Sequence, residues 1–268
     1  MTSRIFARTA IVAASLVVAI LGALHALSPE FDPAWRVVSE YANGRYGWVL
    51  SLMFACWALG SWALALAMRP YMTTAAGRIG LAFLVVSGAG EALAAAFDIN
   101  QPLHGLAGLL GVGGLPIAAI LISITLRRTQ SSLRGTSALL WSANATWLVV
   151  VALIASLAVQ FLTFMHAGGH VPSDGQSLPL GTVLPAGVIA VVGYANRLLV
   201  LVYCGWMMLA AWNALACSDT SRSRSRWQQS AAGLRGHLLR QIRAFAPSSA
   251  RTIASPTTVR GRSGGLGA

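Results

Sequence analysis

The sequence predicts an all-α integral membrane protein, a polytopic bundle of about six transmembrane helices with both termini in the cytoplasm. Hydrophobic residues make up 56% of the 268 residues and charged residues only 10%, too few to solvate a soluble chain of this length. Apolar segments long enough to span a membrane are separated by short loops. The arginines fall on alternate loops, which orients the bundle.

The distribution of arginine gives the predicted orientation. All nineteen basic residues are arginines, and all but Arg36, Arg45 and Arg197 fall near the two termini or on every second loop. Loops rich in arginine remain in the cytoplasm. We therefore expect a multi-pass protein of a prokaryotic cytoplasmic membrane, with the three remaining arginines on its outer side.

Six segments are long enough to cross about 30 Å of hydrocarbon as helices. They are Ala7 to Leu27, Gly47 to Met68, Gly77 to Phe97, Leu103 to Leu126, Ala138 to Met165 and about Arg197 to Cys217. The alternation of a β-barrel strand is missing from them, so the spans are helical. The first has a second interpretation, a signal peptide cleaved before Ser28. Retention is favoured because its apolar run is long for a signal core.

Small residues recur along the third and fourth spans. Glycine occupies every third position at Gly105, Gly108, Gly111 and Gly114. Such a face lets helix backbones approach closely in a membrane. Pro116, inside the fourth span, predicts a kink because proline cannot donate a helical hydrogen bond.

Two outer loops carry local signals. In the first, Asp32 and Pro33 predict the N-cap and first residue of a short amphipathic helix on the outer surface, which Gly44 closes. In the second, the stretch from Leu178 to Val192 is apolar but too short and too interrupted by proline for a span. It either dips back into the membrane or packs over the outer end of the bundle.

The chain changes character after Cys217. We expect a transmembrane domain over residues 1–217 and a basic cytoplasmic tail over 218–268, with an amphipathic segment near 227–245 and a disordered end. The predicted partner of this tail is an anionic lipid leaflet rather than nucleic acid. The arginines expected to contact it are Arg222, Arg224, Arg226, Arg235, Arg240 and Arg243.

Ionisable residues concentrate toward the outer side of the predicted bundle. Glu91 lies about two turns inside the third span, where an ionised carboxylate costs about 2.5 to 3.5 kcal/mol and needs a partner or a proton. Arg197, at the start of the last span, is the expected counter-charge for Glu91 or for Asp98 seven residues further on. The full set of polar candidates is His25, Glu91, Asp98, His104, His166, His170 and Arg197.

Four histidines at one end also raise a metal hypothesis. The candidate zinc ligands are His25, Asp98, His104 and either His166 or His170. The spacing of a helical ligand motif is missing, because Gly168 and Gly169 separate the one pair of histidines that lie four residues apart. The favoured expectation is therefore no cofactor and ordinary hydrogen-bonding histidines.

Three groups of residues carry a family resemblance. His25 is followed by Ser28, Pro29, Asp32, Pro33 and Ser39, then by Tyr46 and Gly47; Phe97 and Asp98 precede His104 and Gly105; Gly193 to Arg197 precede Trp206. Over about Ala7 to Ala214 the chain resembles a family of prokaryotic membrane proteins catalogued as domain of unknown function 998. The family's usual proline between the aromatic residue and the aspartate is missing between Phe97 and Asp98. The resemblance implies six helices and an outer polar cluster, and implies no reaction.

These observations leave three functional hypotheses. The leading one is a non-enzymatic membrane protein whose outer polar cluster binds a lipid headgroup, a small solute or an envelope partner. The second is a metal-dependent membrane hydrolase that uses the outer histidines and aspartate, with Glu91 as general acid or base. The third is a proton-coupled carrier in which Glu91 changes protonation as it meets Arg197.

Overall fold

The computed structural model describes residues 2–129, 135–169, 179 and 182–245. Side chains are described up to Asp219 and, beyond it, for Leu234 and His237. Within these residues the chain is helical and has no strand. The α-helices are α1 (Thr2–Leu27), α2 (Gly47–Met68), α3 (Ala75–Ala96), α4 (Leu103–Thr129), α5 (Thr136–His166) and α6 (Val192–Phe245). Two 3-10 helices cover Val38–Asn43 and Arg69–Tyr71.

Each of the six α-helices contains a segment long and apolar enough to cross a membrane. The prediction of an all-α multi-pass membrane protein is therefore confirmed. The α2 helix has the predicted bounds, whereas α1 and α6 each begin five residues earlier than expected. The apolar runs mark the hydrocarbon, but helical hydrogen bonding continues into the flanking polar turns. In α1 that turn is held by Ser3, whose hydroxyl donates to Ala67 O at 2.8 Å, and by an ion pair of Arg4 with Asp219 at 3.0 Å.

The helices pack largely in chain order. The α2 helix lies between α1 and α3, and α4 packs against both α3 and α5. The part of α6 that precedes Asp219 is central, because Tyr203, Trp206 and Met207 are almost completely buried. In contrast, α5 exposes most of its apolar side chains, as expected for a peripheral helix that faces lipid.

The glycine stripe on α4 divides into two halves. A methyl group added at Gly114 would lie 3.3 Å from Phe83 O, and one added at Gly90 on α3 would lie 2.7 Å from Ala107 O. This half of the stripe therefore permits the close approach of α3 and α4, as predicted. At Gly105 and Gly108 an added methyl group would meet no atom within 4 Å. For these two glycines the packing interpretation is wrong, because they border open space.

Pro116 has a consequence for α6. Since proline lacks an N–H, the carbonyl of Val112 on α4 loses its helical donor four residues on. The Tyr203 hydroxyl of α6 donates to Val112 O at 2.7 Å and so replaces that donor. A buried carbonyl left without a donor would cost about 1 to 3 kcal/mol. Pro116 therefore creates the need for a donor at Val112 O, and Tyr203 of α6 supplies it.

The loop between α1 and α2 differs from the prediction. Asp32 Oδ1 accepts a hydrogen bond from the Ala34 amide at 2.9 Å and caps a tight turn rather than a helix. Helical structure begins at Val38, as a 3-10 helix. The segment is also buried, with Arg36 only 2% exposed and Tyr41 only 1% exposed. The predicted amphipathic surface helix is thus wrong in extent and in position, because its polar groups bond inward.

The irregular segment before α6 packs over one end of the bundle. The Gly193 amide donates to Ala34 O at 2.9 Å, and the Ile189 amide donates to Thr163 Oγ1 at 3.2 Å. Residues 182–190 also face Asp32 and Arg36 across a shallow cleft. In its described part this segment therefore follows the second of the two predicted alternatives. Residues 170–178, 180 and 181 lie outside the described residues.

Beyond Asp219 the structure describes the backbone to Phe245 and only the side chains of Leu234 and His237. Helix α6 continues past Cys217, the expected end of the last span, to Phe245. A first compact unit ends at Thr220 and a second begins at Ser221. The side chains of the six tail arginines and all of residues 246–268 lie outside the described residues. The domain boundary, the lipid contact and the disorder of the last residues remain predictions.

Candidate functional site

We call the part of the bundle near residues 28–46, 97–102 and 182–191 the polar end. It contains two features. The first is a buried group of charged and hydrogen-bonding residues, here termed the arginine cluster, made of His25, Arg36, Glu40, Tyr41 and Arg197. The second is a cavity between α2, α3, α4 and α6 that reaches Glu91.

Arg197 is the centre of the arginine cluster. It is 7% exposed, and its Nε donates to His25 Nε2 at 2.7 Å. Its Nη1 donates to Arg36 O at 2.7 Å, and its Nη2 donates to Tyr41 Oη at 3.0 Å. Because the guanidinium is planar and has five N–H donors, it can hold several segments together at once. It thereby ties the loop of residues 33–41 to α1 and α6.

Arg36 and Glu40 form the buried ion pair of the cluster. Arg36 Nη1 lies 3.2 Å from Glu40 Oε1, and its guanidinium lies 4.0 Å from the centre of the Trp35 ring. Arg36 Nη2 also donates to Pro179 O. Glu40 Oε2 accepts from the Val37 amide at 3.0 Å. Burial raises the pKa of the Glu40 carboxyl, and the Arg36 guanidinium opposes that rise.

The start of α6 is shaped to receive this loop. Asn196 Oδ1 accepts from the Val38 amide at 2.8 Å, which satisfies the first amide of the 3-10 helix. A methyl group added at Gly193 would lie 2.7 Å from Arg36 O. Glycine is therefore needed at this position because the loop backbone approaches α6 too closely for a side chain.

The predicted pairing of Arg197 with Glu91 or Asp98 is wrong. Among the described residues, the donors of Arg197 go to His25, Tyr41 and backbone carbonyls, and neither carboxylate contacts it. Helix α3 ends at Ala96, so Asp98 does not share a helical face with Glu91. Asp98 is exposed and accepts from the Asn100 amide at 2.9 Å, which forms a turn. The seven-residue spacing of Glu91 and Asp98 predicts a shared face only if both residues are helical. Because α3 ends at Ala96, Asp98 lies in the loop instead.

The four candidate metal ligands have separate surroundings. Both ring nitrogens of His25 are occupied, Nδ1 by Leu21 O at 2.8 Å and Nε2 by Arg197. His166 is exposed at the end of α5, and His170 lies outside the described residues. In the described part of the chain, no three His, Cys, Asp or Glu side chains come together as a metal site.

The cavity is small and mainly apolar. Its volume is about 140 Å³, close to the roughly 150 Å³ of an engineered protein cavity that binds benzene. Most of its wall is aliphatic or glycine, and this includes Gly108 of α4. The wall residues with aromatic rings or polar groups are Ser39, Phe54, Trp57, Glu91, His104, Asn196 and Tyr203.

Glu91 lies in the cavity wall without a cationic partner among the described residues. Ser61 Oγ of α2 donates to Glu91 Oε2 at 2.7 Å. Ser87 Oγ lies 3.2 Å from Glu91 Oε1 and 3.0 Å from Gly111 O on α4. Two hydroxyl groups and a carbonyl thus link α2, α3 and α4 through one carboxyl group.

Trp57 supplies a buried hydrogen-bond donor that is not used. The side chain is 5% exposed, and its Nε1 has no hydrogen-bond acceptor among the described residues. The ring stacks against Phe54 at 6.5 Å and meets the Tyr203 ring edge-on at 6.2 Å. A buried N–H without an acceptor costs about 1 to 3 kcal/mol. An acceptor on a molecule in the cavity would recover that free energy.

His104 borders the cavity on the α4 side. Its Nδ1 donates to Phe97 O at 2.9 Å, since a carbonyl can only accept. In the neutral ring this leaves Nε2 as an acceptor. Among the described histidines of the predicted set, His104 is therefore the one that combines a fixed orientation with access to the cavity.

Sequence reasoning identified Glu91 and His104 but missed most of the residues around them. Trp57, Ser61, Ser87 and Tyr203 have no recognisable motif in the sequence. Only Pro116 gave an indirect signal for Tyr203, because a proline inside a span requires a replacement donor nearby.

Fold and site together define a multi-pass helical membrane protein with a partly enclosed cavity at its polar end. The chain belongs to the family described as protein of unknown function (DUF998), whose sequence profile matches residues 11–213. The resemblance stated from the sequence is confirmed. The matched region contains the arginine cluster and every residue of the cavity wall. No curated protein and no solved structure matches the chain.

Proposed function

We propose that this protein is a membrane-embedded binding protein for a small molecule, which it holds in the cavity beside Glu91. The molecule would have an apolar body and a hydrogen-bonding head. This is the small-solute form of the leading hypothesis, and it is a binding function rather than a catalytic one.

One observation carries the proposal. Trp57 lines the cavity, and its buried indole N–H has no acceptor among the described residues, although the neighbouring carboxyl of Glu91 and hydroxyl of Tyr203 are both hydrogen-bonded. Buried donors in native proteins almost always have partners, and an exception calls for an explanation. A bound molecule with an acceptor group is the explanation that also uses the empty volume.

The contacts of the arginine cluster argue against a headgroup phosphate as the ligand. Each side-chain nitrogen of Arg197 donates to a protein acceptor, and Arg36 is paired with Glu40 and lies against Trp35. The cluster therefore serves to fasten the loop of residues 33–41 over the bundle. The hydrolase hypothesis receives no support either, because His25 and Asp98 are engaged in separate structural hydrogen bonds.

We propose further that the polar end faces the outside of a prokaryotic cytoplasmic membrane, with both termini inside. The support is the positive-inside distribution of arginine. The cavity would then take its ligand from the outer leaflet or the outer medium.

Filling the cavity tests the proposal. Gly108 lies in the cavity wall, and a methyl group there meets no atom within 4 Å. Gly108→Leu should therefore insert a side chain into the cavity without displacing the backbone. Gly105→Leu is the matched control, because Gly105 lies three residues away on α4, also borders open space and does not line the cavity.

The measurement is saturation-transfer NMR of benzyl alcohol with the protein in lipid nanodiscs. We expect transfer to the probe in wild-type protein and in Gly105→Leu, and its loss in Gly108→Leu to the level of empty nanodiscs. Equal transfer in the two leucine variants, or none above nanodiscs alone in wild-type protein, would overturn the proposal.

A further inference from the structure

We infer that the ligand of the Glu91 cavity is a small amine, bound as an ammonium ion in exchange for a proton of Glu91. The inference rests on the proposed function and names its ligand class. Four features of the cavity lead to it: its charges, the hydrogens around Ser87, its aromatic walls and its depth.

The first feature is the charge lining the cavity. Among the described residues that line it, Glu91 is the acidic side chain and none is an arginine. The titratable groups near Glu91 are His104 from α4 and Tyr203 and Cys204 from α6, while α2 contributes the neutral Ser61 and Trp57. A cavity with one carboxyl group and no fixed cation favours a cationic ligand over an anionic one.

The second feature is the number of hydrogens available for the hydrogen bonds around Ser87. Ser87 has one hydroxyl hydrogen, but Glu91 Oε1 and Gly111 O both lie within hydrogen-bonding distance of its oxygen. A carbonyl and an ionised carboxylate can both only accept, so an ionised Glu91 would compete with Gly111 O for this one hydrogen. Both contacts are then satisfied when Glu91 Oε1 carries a proton and donates it to Ser87. In the empty cavity Glu91 therefore holds the proton that a cation would displace.

The third feature is the aromatic wall. Phe54, Trp57 and Tyr203 contact one another and border the same volume as Glu91. Aromatic faces attract ammonium groups, and the attraction is strongest where water is excluded. The indole N–H of Trp57, in the same wall, also has no acceptor among the described residues. An amine that also carries an oxygen would use both.

The fourth feature is the depth of Glu91 in the membrane-spanning bundle. It couples the binding of the ammonium ion to the release of the proton. An ionised carboxylate inside a membrane needs a compensating charge. When an ammonium ion enters, Glu91 releases its proton to the aqueous phase and becomes the carboxylate partner of the ammonium. One positive charge enters and one leaves, so the net charge of the cavity is unchanged.

The test compares two probes of similar shape in wild-type protein. Benzylamine and benzyl alcohol are titrated calorimetrically into nanodiscs in phosphate and in Tris, whose ionisation enthalpies differ, and the titrations are repeated one pH unit higher. We expect benzylamine to bind about tenfold more tightly or better. Its heat should differ between the buffers by an amount that corresponds to about one released proton, and its affinity should rise about tenfold per pH unit. Benzyl alcohol should show neither effect.

Two variants separate this inference from the proposed function. Glu91→Gln should bind benzylamine no better than benzyl alcohol and release no proton, and Gly108→Leu should bind neither probe. If both probes bind wild-type protein equally and both are lost in Gly108→Leu, the amine inference is overturned and the binding function stands. If neither probe binds wild-type protein, the binding function itself fails. The buffer comparison on wild-type protein remains decisive even if Glu91→Gln does not fold.

Discussion

The positions of single residues in this bundle are set by hydrogen bonds within the protein. In hydrocarbon no water is available to replace these bonds. Pro116 removes a donor from the carbonyl of Val112, and Tyr203 returns one from another helix. Glu91 is satisfied by two serines rather than by the arginine that its charge suggests. At this scale the sequence shows which groups need partners, and the fold decides which partners they receive.

Tyr203 supplies the Val112 carbonyl with the donor that Pro116 lacks. A second substitution, at Pro116, should therefore restore stability lost by a substitution at Tyr203. Tyr203→Phe leaves the Val112 carbonyl without a donor and should destabilise the protein by about 1 to 3 kcal/mol. Adding Pro116→Ala supplies a backbone N–H to the same carbonyl and should recover much of that loss. The free energy of unfolding in mixed micelles measures both effects.

Tyr71→Phe is the control for this pair. Its hydroxyl also reaches a carbonyl of α6, Ala214 O, but at 3.4 Å. We expect a smaller loss there and no rescue by Pro116→Ala. Strictly additive effects of Tyr203→Phe and Pro116→Ala would contradict the account.

Glu40 predicts a pH dependence of stability. Because burial raises the pKa of its carboxyl in the folded protein, the folded state holds this proton at a pH where the unfolded state has lost it. Stability should therefore fall as the pH rises from the ordinary carboxyl pKa through the raised one. Unfolding followed across this range should show the slope in wild-type protein and lose it in Glu40→Gln. A stability that increases with pH across the same window would show the sign to be wrong.

Among the elements, the loop of residues 33–41 and the start of α6 behave as one unit. Gly193, Asn196 and Arg197 form successive contacts along this loop over little more than one turn of helix. The resemblance of Gly193 to Arg197 to the family therefore has a structural meaning, since this short motif contacts and positions the loop between α1 and α2.

Gly193→Ala tests the close contact between the start of α6 and the loop of residues 33–41. The new methyl group would meet Pro33 O and Arg36 O, and the resulting overpacking should destabilise the protein by about 1 to 3 kcal/mol. Gly205→Ala on the same helix meets no atom within 4 Å and should be close to neutral. Amide exchange at Ala34 and Val38 should rise in the first variant alone, and unchanged exchange there would contradict the assigned contact.

Arg197→Lys tests whether the arginine cluster depends on the geometry of the Arg197 donors rather than on its positive charge. A lysine keeps the positive charge but cannot reach His25, Tyr41 and Arg36 O with a planar set of donors. We expect faster proteolysis within residues 28–46, measured with the protein in nanodiscs. Wild-type resistance to the protease would mean that charge alone holds the loop.

For the whole molecule, the parts that could be predicted from the sequence are those with local signals. The six spans follow from hydropathy, and Gly47 to Met68 was placed to the residue because an arginine and a glycine bound it. The pairing of Arg197 with Glu91 was wrong because sequence gives a residue's depth in the membrane but not the direction it faces around the bundle. Trp57 and its unused donor could not be predicted, since they depend on the packing of four helices.

The proposed topology makes a prediction at the same scale. With both termini inside, a reporter fused after residue 268 should be active only if it is of the cytoplasmic type, and one inserted among residues 170–178 only if it is of the external type. Activity of an external reporter at the carboxyl terminus would reverse the assignment of the polar end.

The most direct test of the central claim is to locate a ligand in the cavity. Crystals of the protein soaked with 4-bromobenzylamine should give an anomalous bromine peak between α2, α3, α4 and α6, within contact distance of Trp57, and crystals of Gly108→Leu should lack it. A peak found only on lipid-facing surfaces, or one equally strong in the Gly108→Leu crystals, would contradict the claim that this cavity is a binding site.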